Sequence, residues 1–395
     1  MPAAGTRDHD VTLLGVTGFT GALTAEHLCA RAPAGTRLAV AGRDRGRVQA
    51  AADRLSASSG RAVASLVADV TDPAALRRLA EGTRVAVTTV GPYLRHGDPL
   101  VAACAAAGSD YLDLTGEPEF VDRTWLRHHA TAEASGARLV HAAGFDSVPH
   151  DLGAQFTVQQ LPEGVPLTVR GYVRAHGTLS GGTLASALEV MGEFRSGLAT
   201  ARERRRAEPG PGGGRRVRVL TGRPGHSADA GGWVLPMPTI DPQVVVRSAA
   251  ALPRYGPDFS YGHFLVAGSP LAAAGIAAGV GTLFAAAQLA PARRALARLR
   301  PAGSGPTEEQ RAGAWFRVRF VGEGGGERVV TEVGGGDPGY GETSRMLGEA
   351  ALSLAEDDLP PTVGQVTTAV AMGAALRERL DGIGITFRVL QAGRA

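Results

Sequence analysis

The sequence predicts an α/β fold: a doubly wound parallel sheet with a second α+β domain inserted before a C-terminal return. Two patterns predict it. Short apolar runs alternate with longer stretches of helical periodicity over residues 11–161, and beyond residue 161 that rhythm gives way to longer β-like segments. Size agrees, because 395 residues suffice for two or three domains with filled cores at about 100–200 residues each.

The strand candidates of the first domain are VTLLG (11–15), RLAVAG (37–42), AVASLVADV (62–70), VAVTTVG (85–91), YLDL (111–114) and RLVHAAG (138–144). TAEHLCARA, RVQAAADRL, PAALRRLAE and PLVAACAAAG carry apolar residues at helical spacing and supply helices after strands, with short connections. Further on, LTVRGYVRA (167–175) reads as a strand and LASALEVMGEFRSGL as a helix. ARERRRAEPGPGGG (201–214) is a charge run ending in Pro and Gly, the composition of an exposed loop. RVRFVGE and ERVVTEV are strands, TSRMLGEAALSLA is a helix and GITFRVL is a last strand. The expected domains are 8–160, 161–345 and a C-terminal unit of helices and strand, 346–395.

The segment 265–290, LVAGSPLAAAGIAAGVGTLFAAAQLA, is almost uncharged and long enough to span a bilayer. Alanine and glycine supply most of its apolarity, and Pro270 with four glycines interrupts it, so a buried or lid-forming helical hairpin is the expectation. The arginines that follow, Arg293, Arg294, Arg298 and Arg300, form a basic amphipathic end suited to lipid or an acidic partner.

Composition excludes several classes. Hydrophobic residues at 44% and charged residues at 20% fit neither a disordered chain nor a polytopic membrane protein. A net charge of +3 without a basic stripe gives nucleic acid no footprint. The sequence contains no lysine and no asparagine, so all 41 cations are arginine. Lysine Schiff bases, P-loop phosphate binding and the Tyr/Lys pair of short-chain dehydrogenases are therefore excluded. Cys29 and Cys104 lie in Ala- and Leu-rich helical stretches without a CxxC, as buried thiols do. The opening MPAAGTRDHD has two acids and no apolar core of a signal peptide, and a cytoplasmic location is expected.

The motif that carries chemistry is Gly15-Val16-Thr17-Gly18-Phe19-Thr20-Gly21, which links the first strand to the first helix. A turn without side chains admits a diphosphate to backbone N–H groups, and the positive end of the helix favours the anion. The spacing is GxxGxxG, not GxGxxG, yet its strand-turn-helix context makes the domain Rossmann-like and dinucleotide-binding. The second strand ends Ala41-Gly42-Arg43, with no acid at its tip to bind a ribose 2′-hydroxyl, so Arg43 favours the 2′-phosphate of NADP(H). Asp44, next along, is the one feature against. Ligands of such sheets lie at the carboxyl ends of the strands, which places Asp69 and Val70 near the adenine and Val90 and Gly91 near the ribose and nicotinamide.

Tyr93, Arg95 and His96 project from the same rim and are the candidate catalytic groups. Residues 144–151, GFDSVPHD, leave the sixth strand with the same logic, although Asp146 or Ser147 fits a simple helix cap. Residues 336–344, GDPGYGETS, read as a turn with a cap. No HExxH, metal-spaced His pair or GxSxG is present, so no metal site is expected.

GVTGFTGALTAEHL, AVAGRDRGRV, TTVGPYLRHGDPLVAACAAAGSDYLDLTGE and AAGFDSVPHDLG together resemble the saccharopine dehydrogenase-like oxidoreductases, specifically the actinobacterial trans-acting enoyl reductases. YGPDFSYGHF, WFRVRF, GGDPGYGETSRMLGEAAL and TTAVAMG extend the likeness toward the C-terminus. The resemblance implies NADPH held by Gly15, Gly18, Gly21 and Arg43, a second domain closing over the nicotinamide, and an enoyl intermediate borne by a polyketide synthase. The expected reaction is reduction of an α,β-unsaturated acyl or polyketide thioester, possible only if a donor stabilises the enolate; Tyr93 is that candidate donor, with Arg95 or His96 polarising the carbonyl. Reduction of a C=N or C=O bond in a small metabolite, and a non-catalytic NADP-binding protein at a lipid surface, are the alternatives. An acyl carrier protein, peripheral lipid contact and homodimerisation complete the expected associations.

Overall fold

The computed structural model describes residues 7–177, 181–237, 239–299 and 305–394. Six strands, β1 (His9–Leu14), β2 (Leu38–Gly42), β3 (Val63–Val67), β4 (Thr83–Thr88), β5 (Asp110–Asp113) and β6 (Arg138–Val140), form a parallel sheet in the order β3-β2-β1-β4-β5-β6. A seventh strand, Gly364–Val366, pairs in parallel with β6 and completes it. The chain crosses from β1 to β2 on one side and later to β4 on the other, so the strand order reverses at the carboxyl end of β1. That is where open α/β sheets bind ligands.

Both faces of this sheet are covered, which explains the apolar runs of its strands. One face buries Val11, Leu13, Val40 and Val85 under helices Phe19–Arg31, Arg45–Ser59 and Gly341–Glu356. The other buries Leu14, Ala86 and Tyr111 under Leu76, Leu79, Leu100, Val101 and Phe120. Cys29 and Cys104 are buried free thiols.

The second sheet is mixed. Strands β7 (Leu167–His176), β8 (Arg216–Val219), β9 (Gly225–Ser227), β10 (Gly232–Pro236), β11 (Asp258–Ala267), β12 (Trp315–Gly324) and β13 (Glu327–Gly335) belong to it. With β14 assigned to Gly364–Val366 of the first sheet, β15 (Thr386–Arg394) closes the list. The order is β15-β13-β12-β7-β11-β10-β9, and β8 pairs with β11. Residues 346–395 are thus not a separate unit: they give one strand to each sheet. Helix Gly341–Glu356 lies on the first sheet, where Glu349 Oε1 meets His27 Nε2 at 2.9 Å and Arg31 Nε at 3.3 Å.

Two local expectations are corrected. The charge run at 201–214 is helical as far as Ala207, because Arg204 is drawn inside to Asp122, Glu208 and the carbonyl of Val121. The apolar segment forms helix Pro270–Ala287, but it is not buried: 11% of it is inside the protein, and Leu271 is 83% exposed. It is long and apolar enough to cross a membrane. It leans on helix Gly181–Gly192, which Gln288 reaches through the carbonyl of Met191, and the Phe284 ring meets Phe194 edge-on.

Candidate active site

The glycine turn after β1 has the geometry of an anion cradle. Gly15 takes φ +105°, where only glycine is at ease, and a side chain there would strike Thr89. A Cβ on Gly21 would stand 2.1 Å from the carbonyl oxygen of Gly15, so a residue without a side chain lets helix Phe19–Arg31 start against the turn. No side chain caps that helix and no acid lies in its first turn. Its N-terminus remains available to a diphosphate. Val16 faces the core, whereas Thr17 is exposed and Gly18, Phe19 and Thr20 are half-buried at the mouth.

Arg43 follows β2 as an exposed side chain with no ion pair among the described residues. Asp44 does not compete for a ribose, since its Oδ1 accepts the backbone N–H of Arg47 and caps helix Arg45–Ser59. Asp69 turns its carboxylate onto the N–H and hydroxyl of Thr71. The Thr71 N–H holds this carboxyl below the usual range, with help from the positive fields of Arg43 and His96. Arg43, Asp69 and His96 thus share one neighbourhood. Val70, Val90 and Gly91 line the adjoining rim, the valines half-buried and Gly91 exposed.

The three candidate catalytic groups fare differently. Tyr93 is 5% exposed, and its hydroxyl donates to the carbonyl of Thr88 and accepts the N–H of Leu114. Burial holds it well above the usual phenol range. Its position behind the rim, not on it, contradicts its assignment as the donor; a four-residue helix, Tyr93–His96, turns the ring inward. Arg95 is exposed and paired with Glu189 Oε1 at 2.5 Å. No hydrogen bond or ion pair among the described residues joins Tyr93, Arg95 or His96 to the loop 141–147 that follows β6.

That loop carries a better-placed acid. Asp146 caps nothing: it is half-buried, opposite Gly116, and has no hydrogen-bond partner among the described residues. Burial, then the charges of Asp241 and Asp113, push its carboxyl up to about 7. The neighbouring Phe145 N–H donates to Thr343 Oγ1 at 3.2 Å, which ties this loop to residues 336–344. The latter stretch is more than a turn. Ser344 Oγ donates to the carbonyl of Thr20 at 3.4 Å, and the Tyr340 ring meets Phe19 edge-on at 4.9 Å. The 336–344 segment therefore bridges the nucleotide turn to the Asp146 loop.

A second group gathers beside it. His150, Asp241 and His263 are buried together, although the sequence gives them no shared motif. Burial pushes both imidazoles down to about 3 and Asp241 upward. The sequence offers no metal-ligand spacing, and this cluster escapes such a reading because spacing along the chain does not register what three separate elements bring together.

Comparisons with known proteins decide the family. Residues 11–140 match the saccharopine dehydrogenase NADP binding domain. A Mycobacterium tuberculosis protein, provisionally named a trans-acting enoyl reductase, is 39% identical over 97% of both chains. The chain belongs to the saccharopine dehydrogenase NADP-binding family. The trans-acting enoyl reductase of Mycobacterium ulcerans is 34% identical over 96% of this chain and 97% of its own. Apo saccharopine dehydrogenase (L-Glu forming) from Saccharomyces cerevisiae shares the fold, with a TM-score of 0.55 at 12% identity, covering 98% of this chain and all of that one. This family member is an NADP-binding oxidoreductase, and the glycine cradle, the uncapped helix and Arg43, exposed and without an ion pair among the described residues, fit that cofactor.

Proposed function

We propose that this oxidoreductase is a trans-acting enoyl reductase that uses NADPH to saturate an α,β-unsaturated acyl or polyketide thioester. Similarity to proteins of that name along almost the whole of both chains carries the reading, since it spans the cofactor domain and the substrate-side sheet alike. NADPH, when bound, supplies the hydride that reduces the β-carbon. The chain itself must deliver a proton to the α-carbon and exclude water.

Asp146 is the group for the proton. An acid near pH 7 in its titration combines a populated neutral form with useful driving force, and its oxygens are not consumed by other bonds. Gly15, Gly18 and Gly21 admit the diphosphate, Arg43 meets the 2′-phosphate, and the 336–344 segment shields the mouth through Tyr340. The test is turnover of NADPH on enoyl thioesters, free and loaded on a carrier protein. Formation of the saturated thioester in step with NADPH consumption supports the reading, and consumption only on imines or ketones refutes it.

Peripheral contact with lipid is the second reading, favoured by helix Pro270–Ala287, whose Val280 is 53% exposed. Arg293 follows it; the side chains of Arg294, Arg298 and Arg300 lie outside the described residues. Flotation with anionic liposomes tests this, and a protein that stays at the bottom of the gradient excludes it. A cytoplasmic location and a homodimer remain part of the proposal.

A further inference from the structure

We propose that His150, Asp241 and His263 form a binding site for a divalent transition-metal ion, zinc in the first place. Each residue comes from a different element: the first turn of helix Val148–Val158, the first residue of helix Asp241–Ala251, and the middle of β11. One ligand atom from each lies within 4.8 Å of the others. His150 Nε2 is 3.4 Å from Asp241 Oδ1, and His263 Nε2 is 3.8 Å from Asp241 Oδ2. The two imidazoles stand nearly perpendicular, at 88° with centroids 4.6 Å apart.

The bonds these residues make, and do not make, point to a ligand. Among the described residues, His150 Nδ1, Asp241 Oδ1 and His263 Nε2 are buried without any hydrogen-bond partner. Leaving three such atoms empty is costly, and buried polar atoms are ordinarily satisfied. The opposite edges of His263 and Asp241, in contrast, are held. Tyr261 Oη bonds His263 Nδ1 at 3.1 Å, and Thr239 Oγ1 donates to Asp241 Oδ2. Outer partners that fix one nitrogen of a histidine and one oxygen of a carboxylate are how proteins aim metal ligands, and here they stand behind ligand atoms that lie within 4.8 Å of one another. Two imidazoles with one carboxylate suit zinc or iron(II), and three protein ligands leave a position for water or substrate. The inference does not depend on the enoyl reductase reading.

The experiment is metal analysis and titration of the full-length chain. After chelation and dialysis the protein is titrated with Zn²⁺, and separately with Co²⁺, whose visible absorption reports its coordination. One equivalent of metal per chain, lost in His263→Ala and Asp241→Asn, is the expected result. Tyr261→Phe, which keeps all three ligands, is expected to weaken binding about 10- to 100-fold. Circular dichroism identifies any variant that fails to fold, and the wild-type Co²⁺ spectrum decides the matter without variants. Absence of stoichiometric binding by the wild type, or unchanged binding in folded His263→Ala and Asp241→Asn, overturns the proposal.

Discussion

Asp146 shows how little a residue's neighbours in sequence reveal about its chemistry. The string GFDSVPHD reads equally as a helix start, and the difference lies in what surrounds the carboxyl: Gly116 in front, Asp241 and Asp113 within electrostatic reach, and no donor to hold it among the described residues. We predict that Asp146→Asn lowers kcat by about 10²- to 10⁴-fold, the usual contribution of a general acid, while NADPH binding is unchanged; stopped-flow turnover with a titration of the cofactor checks it. The sign of the pH dependence follows from the raised carboxyl. The donor is protonated below about pH 7, so chelator-treated wild type should lose activity as pH rises through about 7, and the Asn variant should lose that step. Tyr93→Phe should behave differently, keeping turnover and costing about 1 kcal/mol of stability, because the hydroxyl joins Thr88 to Leu114 inside the domain. Thermal unfolding beside a kinetic assay separates the two outcomes.

At the level of elements, the nucleotide turn was legible in sequence because backbone geometry dictates residue type. Glycine alone suits φ +105° at position 15, and at position 21 only glycine clears the carbonyl of Gly15. Gly21→Ala should therefore shift the helix and abolish NADPH binding, read by fluorescence titration. Arg43→Ala should raise the Kd for NADPH about tenfold, roughly 1.4 kcal/mol, and leave that for NADH unchanged. The first six strands and β7, β12, β13 and β15 were legible in the sequence, most of them because their burial repeats as apolar runs, whereas β8, β9, β10, β11 and Gly364–Val366, which are short or lie among glycine, proline and polar residues, were not read as strands. The 201–214 run was misread since composition reports solvation only when nothing opposite competes, and Asp122 competes for Arg204. Cis-acting patterns of this kind also miss His150, Asp241 and His263, whose adjacency is created by helix and strand packing alone.

Across the whole molecule, the chain's last segment ties the two sheets together, one strand in each, and the 336–344 stretch touches both the nucleotide turn and the Asp146 loop. Neither link is visible from local periodicity, because the partners are far apart in sequence, Phe145 and Thr343 by 198 residues and Thr20 and Ser344 by 324. Helix Pro270–Ala287 stands outside this framework, so Leu271→Glu should change stability by no more than about 0.5 kcal/mol while weakening any association with lipid. Calorimetry and liposome flotation measure the two effects. The most direct test of the functional reading is product analysis after incubation with NADPH and a panel of enoyl thioesters. Saturated thioester formed one for one with oxidised cofactor, and suppressed in Asp146→Asn, is the predicted result; tight NADPH binding with every enoyl thioester recovered unchanged would contradict it.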